Sequence, residues 1–347
     1  MADAREMAAR IEAFLASRHD RGGGAARVVE VIPITGGYSR QMSRVVVEDD
    51  HGQVGYIIRA DPPPGQSILD TDRTVEWTVL SAIAEHGTVR MPGVRWFDQT
   101  GEHLGSPAIV LDQVMGEGLN TLSQRGDREG NKAFTDRLAG ALASVHTFDL
   151  TKLPAIMERP RSWDEYLDGC IASWHAAEAA HVEHDPFMRV VGAWLEANRP
   201  PEAPLMLVHG DFQTPNVLVE RDSGHFHLID WELTHIGDPR EDLGWWVLAS
   251  ASQPPDLIAD DEEAFFSRYR ELTGLSAEVV NPATVAYFTV MASANVFFSL
   301  IRQTSLMTRG ETNAMGIAYM TNAMPFMHGV WIDSMRKAGA WGKGGAK

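Results

Sequence analysis

Apolar and polar residues alternate in short runs through the first third of the chain, whereas apolar residues recur every three or four positions through most of the remainder. Alternation predicts β-strands, and the longer spacing predicts amphipathic helices. The first third therefore predicts a five-stranded sheet, a helix before it and a helix after its third strand. The strands are predicted over residues 28–34, 42–48, 54–60, 93–97 and 108–114, and the helices over residues 4–18 and 70–85.

The remainder of the chain is predicted to be mainly helical. Apolar stripes predict helices over residues 131–148, 161–179, 187–198, 238–249, 263–272, 282–307 and 311–327. The expected fold class is therefore α+β, with a small antiparallel sheet followed by a large helical region.

One stretch among these helices predicts strands instead. Short apolar runs bounded by Gly, Pro, Asn and Asp lie at residues 205–208, 217–219 and 227–229. Polar residues at the ends of such strands are where functional groups are commonly found. Asp211, Asn216 and Asp230 hold these positions.

The spacing of the polar residues points to phosphoryl transfer. His209, Asp211 and Asn216 stand as H-x-D-x-x-x-x-N, the spacing of a protein-kinase catalytic loop, and Asp230 follows where a kinase carries a metal-binding Asp. The reaction needs an acceptor hydroxyl held in line and a triphosphate neutralised by metal. Asp211 is the candidate base, and the oxygens of Asn216 and Asp230 are candidate ligands for Mg²⁺.

The wider motif resembles the aminoglycoside phosphotransferase and choline kinase superfamily, the small-molecule branch of the kinase-like fold. The resemblance rests on H-G-D-x-x-x-x-N, I-D-W-E and G-D-P-x-x-D-L at residues 209–216, 229–232 and 237–243. It implies a two-lobed protein-kinase-like fold with ATP (possibly GTP) and Mg²⁺ as cofactors. The implied parts are an N-terminal nucleotide-binding lobe over residues 1–114, a hinge at 115–118 and a catalytic, substrate-binding lobe over 119–347.

The same resemblance assigns roles in the N-terminal lobe. Arg59 would steady the nucleotide phosphates, and Glu76 on the next helix would order Arg59. Most relatives carry Lys at this position, but the kinase domains fused to some acyl-CoA dehydrogenases read L-R-R-P-P. Residues 59–65, R-A-D-P-P-P-G, look closest to that branch. Arg keeps the charge and its fork suits phosphate oxygens, although it is bulkier than Lys.

Three further assignments follow from the resemblance. Gly36, Gly37 and Ser39 are similar to the family's G-G-x-S turn, whose amides would cover the phosphates. Met115, in the hinge, would pack on the face of the adenine. Asp242 would support the catalytic loop.

Composition limits the partners. The net charge of −17 argues against nucleic acid or an anionic membrane surface and mildly favours a cationic substrate. A single cysteine, Cys170, cannot form an internal disulfide, and the N-terminal residues lack a secretory pattern. We expect a cytoplasmic protein that acts on a hydroxyl group of a small molecule. The sequence does not indicate the oligomeric state.

The residues leave the acceptor and two other functions open. Aminoglycosides, amino alcohols and hydroxyacyl thioesters are all candidate acceptors. A catalytically silent pseudokinase or regulatory module would bind nucleotide or a partner without turnover. A metal-dependent phosphohydrolase using His209, Asp211 and Asp230 would release phosphate without an acceptor and give Arg59 no role.

Overall fold

A computed structural model describes residues 2–18, 26–34, 40–62, 72–87, 89–126, 128–181, 187–252, 255–293, 310 and 314–341. The chain divides into two units, which are described separately below. The first contains residues 1–116, 152–156 and 220–232, and the second contains residues 117–151, 157–219 and 233–347.

The first unit contains an antiparallel five-stranded sheet in the order β1-β2-β3-β5-β4. Its strands are β1 (Arg27–Ile34), β2 (Gln41–Asp49), β3 (Gly52–Ala60), β4 (Val94–Asp98) and β5 (Ala108–Asp112). All five predicted strands are thus present, within two residues of their predicted ends.

Two helices accompany this sheet. Helix α1 (Ala2–Ser17) buries Ile11 and Phe14 in a core with inward-facing strand residues such as Val45 and Tyr56. Helix α2 (Arg73–His86) begins where the Asp72 side chain accepts the Thr74 amide at 2.7 Å. It ends at Gly87, whose φ of +65° suits a left-handed cap. The helix thus starts three residues after the predicted start at residue 70 and ends one residue after the predicted end at residue 85.

The second unit is mainly helical. Its helices are α3 (Leu119–Arg125), α4 (Arg128–His146), α5 (Trp163–His181), α6 (Phe187–Ala197), α7 (Arg240–Ser252), α8 (Glu262–Thr273), α9 (residues 282–293 as described) and α10 (Ala314–Trp341). One of its core clusters surrounds the buried indole rings of Trp174 and Trp331, which meet edge to face. None of the helices in the described ranges is long and apolar enough to cross a membrane.

The predicted strands of residues 205–230 are also present. They form β7 (Met206–Val208), β8 (Val217–Glu220) and β9 (Phe226–Leu228). A short strand that was not predicted, β6 (Gly116–Gly118), comes earlier in the chain. The sequence did not predict β10 (His235–Gly237), which pairs antiparallel with β7 so that His235 faces Val208. Residues 235–237 contain only one large apolar side chain, Ile236, and so do not form an apolar run like those of the predicted strands.

Candidate active site

The backbone of the loop that carries Asp211 is constrained at Gly210, two residues beyond the end of β7. This glycine has a φ of +85°, a conformation that other residues rarely adopt. A Cβ atom here would lie 2.3 Å from the carbonyl oxygen of Leu233. Only glycine fits this position, so the H-G-D order has a steric cause.

The carboxylate of Asp211 is oriented by two amide side chains of its own loop. Gln213 Nε2 donates to Oδ1 at 2.6 Å, and Asn216 Nδ2 donates to Oδ2 at 2.6 Å. A 3₁₀ turn over Thr214–Asn216 brings the Asn216 side chain back to Asp211. Because both donors are neutral, they fix the direction of the carboxylate without cancelling its charge, which suits a base that must orient a hydroxyl.

Asp242, in the first turn of α7, accepts hydrogen bonds from the backbone of the same loop. Its Oδ2 accepts the amide of His209 at 2.8 Å, and its Oδ1 accepts the amide of Gly210 at 2.9 Å. His146 Nε2 lies 2.9 Å from Oδ2, and His146 Nδ1 contacts the Tyr269 hydroxyl. Burial opposes the charge of Asp242, but the hydrogen bonds from His146 and His209 outweigh it and lower the pKa. We call Asp242, His146 and Tyr269 the loop anchor.

His235 lies beside this loop because β10 pairs with β7. Its Nδ1 donates to the Leu233 carbonyl at 2.9 Å, its Nε2 donates to Glu241 at 3.2 Å, and its ring stacks on Tyr166. Burial works against a charged imidazole, but Glu241 outweighs this effect and raises the pKa of His235 to about 9. His235 is therefore a cation at neutral pH.

In the first unit, Arg59 lies between two carboxylates. Its Nη1 contacts Glu76 Oε1, and its Nη2 contacts Asp230 Oδ1. Burial opposes the guanidinium charge, but Asp230, Glu76 and Glu232 outweigh it and raise the pKa of Arg59. Asp230 has a φ of +68° and is the only non-glycine residue with a positive φ in the described part of the chain. Such a conformation costs on the order of 1 kcal/mol, so the surrounding contacts must hold it.

These contacts continue through further alternating charges. Arg73 reaches Glu76 Oε2 at 2.6 Å and Asp61 at 2.7 Å. Arg40 lies 3.1 Å from the same Asp61 and 2.8 Å from Glu232. The series runs in the order Asp230, Arg59, Glu76, Arg73, Asp61, Arg40, Glu232. Because its two ends lie two residues apart on one segment, we call it the charge ring.

The remaining predicted residues have different environments. Gly36, Gly37 and Ser39 lie outside the described residues. Met115 has a side chain that is 54% exposed, and its carbonyl oxygen accepts the amide of Arg221 at 2.8 Å. The carbonyl of this residue therefore already has a backbone partner.

Sequence reasoning missed most members of both networks. Arg40, Asp61, Arg73 and Glu232 look like ordinary charged positions, and only their convergence in space gives them a common role. No motif marks His146, whose role comes from its contact with Asp242, 96 residues further along the chain. The spacing of Arg73 and Glu76, three residues apart on one helix, was the available signal.

Each unit offers one oxygen donor of the kind that hard divalent cations prefer. Asp230 offers a carboxylate that is 29% exposed, and the amide nitrogen of Asn216 is engaged by Asp211, which leaves the amide oxygen for coordination. Within the described residues, no group of three or more His, Cys, Asp or Glu could hold a metal by itself. Mg²⁺ usually takes one or two protein oxygens and completes its shell with water and substrate phosphates, so Asp230 and Asn216 are of the ligand type that it prefers.

A known protein family and individual known proteins resemble this chain in sequence. A sequence model described as "Phosphotransferase enzyme family" matches residues 30–275. Acyl-CoA dehydrogenase family member 10 of Mus musculus is 25% identical over 220 residues, which cover 59% of this chain and 20% of that protein. The chain thus spans only about a fifth of the length of this curated relative. The expected resemblance to that branch is confirmed.

Solved structures show the same fold. A Ralstonia eutropha protein described as a putative aminoglycoside phosphotransferase has a TM-score of 0.72 at 18% identity, covering 95% of this chain and 98% of its own. A thermostable mutant of aminoglycoside phosphotransferase APH(4)-Ia, in a ternary complex with ADP and hygromycin B, has a TM-score of 0.62 at 16% identity, covering 94% and 98%. The predicted α+β, protein-kinase-like fold class is therefore confirmed.

Proposed function

Because the chain belongs to the phosphotransferase enzyme family, we propose that it transfers the γ-phosphoryl group of ATP, or of GTP, to a hydroxyl of a small molecule. The observation that carries this proposal is the geometry of Asp211. Its carboxylate is fixed in direction by Gln213 and Asn216 and lies on a loop whose backbone is held by Asp242. This is the environment that a hydroxyl-orienting base requires.

The other proposed roles follow from charge and donor type. Arg59, ordered by Glu76, would bind phosphate oxygens through its planar fork. Gly36, Gly37 and Ser39 would cover the phosphates, and Met115 would contact the adenine. Asn216 and Asp230 would hold Mg²⁺, which neutralises charge on the phosphates when it is bound. The division into a nucleotide lobe, a hinge at 115–118 and a catalytic lobe stays a prediction.

The acceptor is proposed only as a class. The ADP and hygromycin B complex supports nucleotide use and a small-molecule acceptor in a protein of this fold. The net charge of −17 favours a cationic acceptor, whereas the acyl-CoA dehydrogenase relative favours a hydroxyacyl thioester. The family name is no evidence that the chain confers antibiotic resistance.

A nucleotide-consumption screen tests this proposal. ATP and GTP would each be offered with Mg²⁺ and a panel of aminoglycosides, macrolides, amino alcohols, sugars and hydroxyacyl thioesters. We expect acceptor-dependent ADP or GDP formation that Asp211→Asn lowers by about a thousandfold or more, since base and orientation are lost together. Asp222→Asn, the same change at an exposed turn, should keep full activity.

Two results would contradict the proposal. Equal phosphate release with and without every acceptor would favour a hydrolase. Nucleotide binding that is indifferent to both Mg²⁺ and Asp230→Ala, with no turnover, would favour a regulatory module. Phosphorylated product identified by mass spectrometry would distinguish transfer from both.

A further inference from the structure

The contact between Arg59 and Asp230 has a consequence for metal binding. Asp230 is the charged residue to which we assign Mg²⁺, yet one of its carboxylate oxygens already contacts the Arg59 guanidinium. A divalent cation bound to Asp230 would lie close to the Arg59 guanidinium and would be repelled by its positive charge. A divalent cation must therefore displace Arg59 or share Asp230 with it at a cost in repulsion.

We propose that Arg59 is a placeholder cation: in the nucleotide-free protein it occupies the metal's place on Asp230 and moves away when a metal–nucleotide complex arrives. The proposal rests on the proposed function for the assignment of Asp230 as a metal ligand. It makes Arg59 a competitor of the metal as well as a partner of the phosphates.

The two contacts of Arg59 differ in the way this exchange requires. Glu76 is 2% exposed, whereas the Asp230 side chain is 29% exposed. Solvent weakens the pair with Asp230 more than the pair with Glu76, so Asp230 is the partner that Arg59 releases more readily. Incoming phosphate oxygens would replace the lost carboxylate oxygen at the same guanidinium nitrogen.

The rest of the charge ring would keep Asp230 in place during the exchange. Glu232, two residues further on, is paired with Arg40, and both side chains are almost fully buried. Arg73 holds the second oxygen of Glu76 and therefore keeps that carboxylate in position. Arg40 and Arg73 are thus positioning residues, because Arg40 holds Glu232 and Arg73 holds Glu76.

Metal binding by the nucleotide-free protein tests the proposal directly. Mn²⁺ would be titrated into the full chain, and free Mn²⁺ would be followed by electron paramagnetic resonance. In Arg59→Gln the competitor is gone, so we expect Mn²⁺ to bind about three- to tenfold more tightly than in wild type. In Arg59→Lys a single ammonium cannot bridge Glu76 and Asp230 as a fork does, so a smaller tightening is expected. Asp230→Asn should abolish the site in every background.

Matched variants separate competition from simple charge. The ring contains four carboxylates and three guanidiniums, and Arg40→Gln removes the same positive charge as Arg59→Gln without freeing Asp230. We expect no tightening in Arg40→Gln. Arg95→Gln, which breaks an exposed pair with Asp112 on the same sheet, should leave Mn²⁺ affinity unchanged.

Several outcomes would overturn the inference. They are equal tightening in Arg40→Gln and Arg59→Gln, unchanged affinity in folded Arg59→Gln and Arg59→Lys, and no Mn²⁺ binding by either wild type or Arg59→Gln. Circular dichroism establishes folding, which Arg59→Gln should retain because Arg73 still pairs with Glu76. The readout is metal binding, so a protein that transfers no phosphate could still show the tightening, and an active kinase could fail to show it.

Discussion

The charge ring and the loop anchor each contain a buried carboxylate that several groups contact, Glu76 in the ring and Asp242 in the anchor, yet these contacts differ in kind. Glu76 faces two guanidiniums, and each of these has a second carboxylate available, Asp230 or Asp61. Asp242 faces the backbone amides of His209 and Gly210 and the imidazole of His146. Guanidiniums can exchange partners by rotating side chains, whereas backbone amides cannot move without moving the loop.

This difference matches what each region would have to do. A region that binds a polyphosphate and a metal must break existing contacts and form new ones. A network of several guanidiniums and carboxylates permits this exchange of partners. A region that holds a base in one direction gains from donors that are fixed. The comparison can be tested by changing each central carboxylate to its amide.

Asp242→Asn should have the largest effect. One carboxylate oxygen would become an amide nitrogen that faces the backbone N–H of either His209 or Gly210, and that buried contact would be broken. We expect a loss of about 3 to 5 kcal/mol in the free energy of unfolding, measured by urea denaturation. A loss below about 1 kcal/mol would mean that the loop does not depend on this carboxylate.

Gly210→Ala should come next, since it strains the same loop directly. The left-handed φ and the 2.3 Å approach to the Leu233 carbonyl together should cost about 2 to 3 kcal/mol, again by urea denaturation. Gly274→Ala is the control, because its φ is +74° with nothing within 4 Å of the added Cβ. If the two variants lose the same free energy of unfolding, the close approach of the added Cβ atom to the Leu233 carbonyl oxygen does not contribute to the loss.

Glu76→Gln should cost less than Asp242→Asn. The amide keeps one acceptor oxygen, and both Arg59 and Arg73 retain a second carboxylate. We expect about 2 kcal/mol of lost stability, together with weaker nucleotide binding by calorimetry. A loss as large as that of Asp242→Asn would contradict the idea that the ring redistributes its contacts.

The smallest effect should be a pH dependence of folding stability that arises from His235, which lies beside the loop that Asp242 holds. The folded-state pKa of His235 is about 9, above the ordinary value near 6.5, so its pair with Glu241 stabilises the protein below about pH 6.5. That stabilisation is lost as pH rises through about 9. Because the side chain is 39% exposed, we discount it to about 1 kcal/mol.

Unfolding of wild type and His235→Gln at pH 6 and pH 10 measures this term. The stability gap between them should shrink by about 1 kcal/mol at the higher pH. A gap that does not change between the two pH values would mean that His235 is not charged in the folded protein.

Much of the fold followed from local patterns. The five strands of the sheet, the α2 cap at Asp72 and its stop at Gly87 depend on residues that are near in sequence. The spacing of Asp211 and Asn216 likewise implied a shared loop, and the structure shows them in contact. Such features are set by neighbouring residues, which is why periodicity and turn chemistry can predict them.

Other features depend on residues far apart in the chain. Helix α10 continues to Trp341, well beyond the predicted end at residue 327, because Met327, Trp331 and Ser334 continue its buried face. Arg40 and Glu232 meet across more than half of the sequence, and neither residue type suggests a buried pair by itself. Only the folded arrangement reveals such contacts.

The choice of arginine at residue 59 has a consequence for the conditions under which the ring can assemble. An amine at this place would lose its proton near pH 10, whereas a guanidinium stays protonated throughout the range in which proteins remain folded. Although burial opposes the charge, the carboxylates of Asp230, Glu76 and Glu232 raise the pKa of Arg59 further, so this residue keeps its positive charge in strongly alkaline solution. Any loss of activity at high pH should therefore arise from groups other than Arg59.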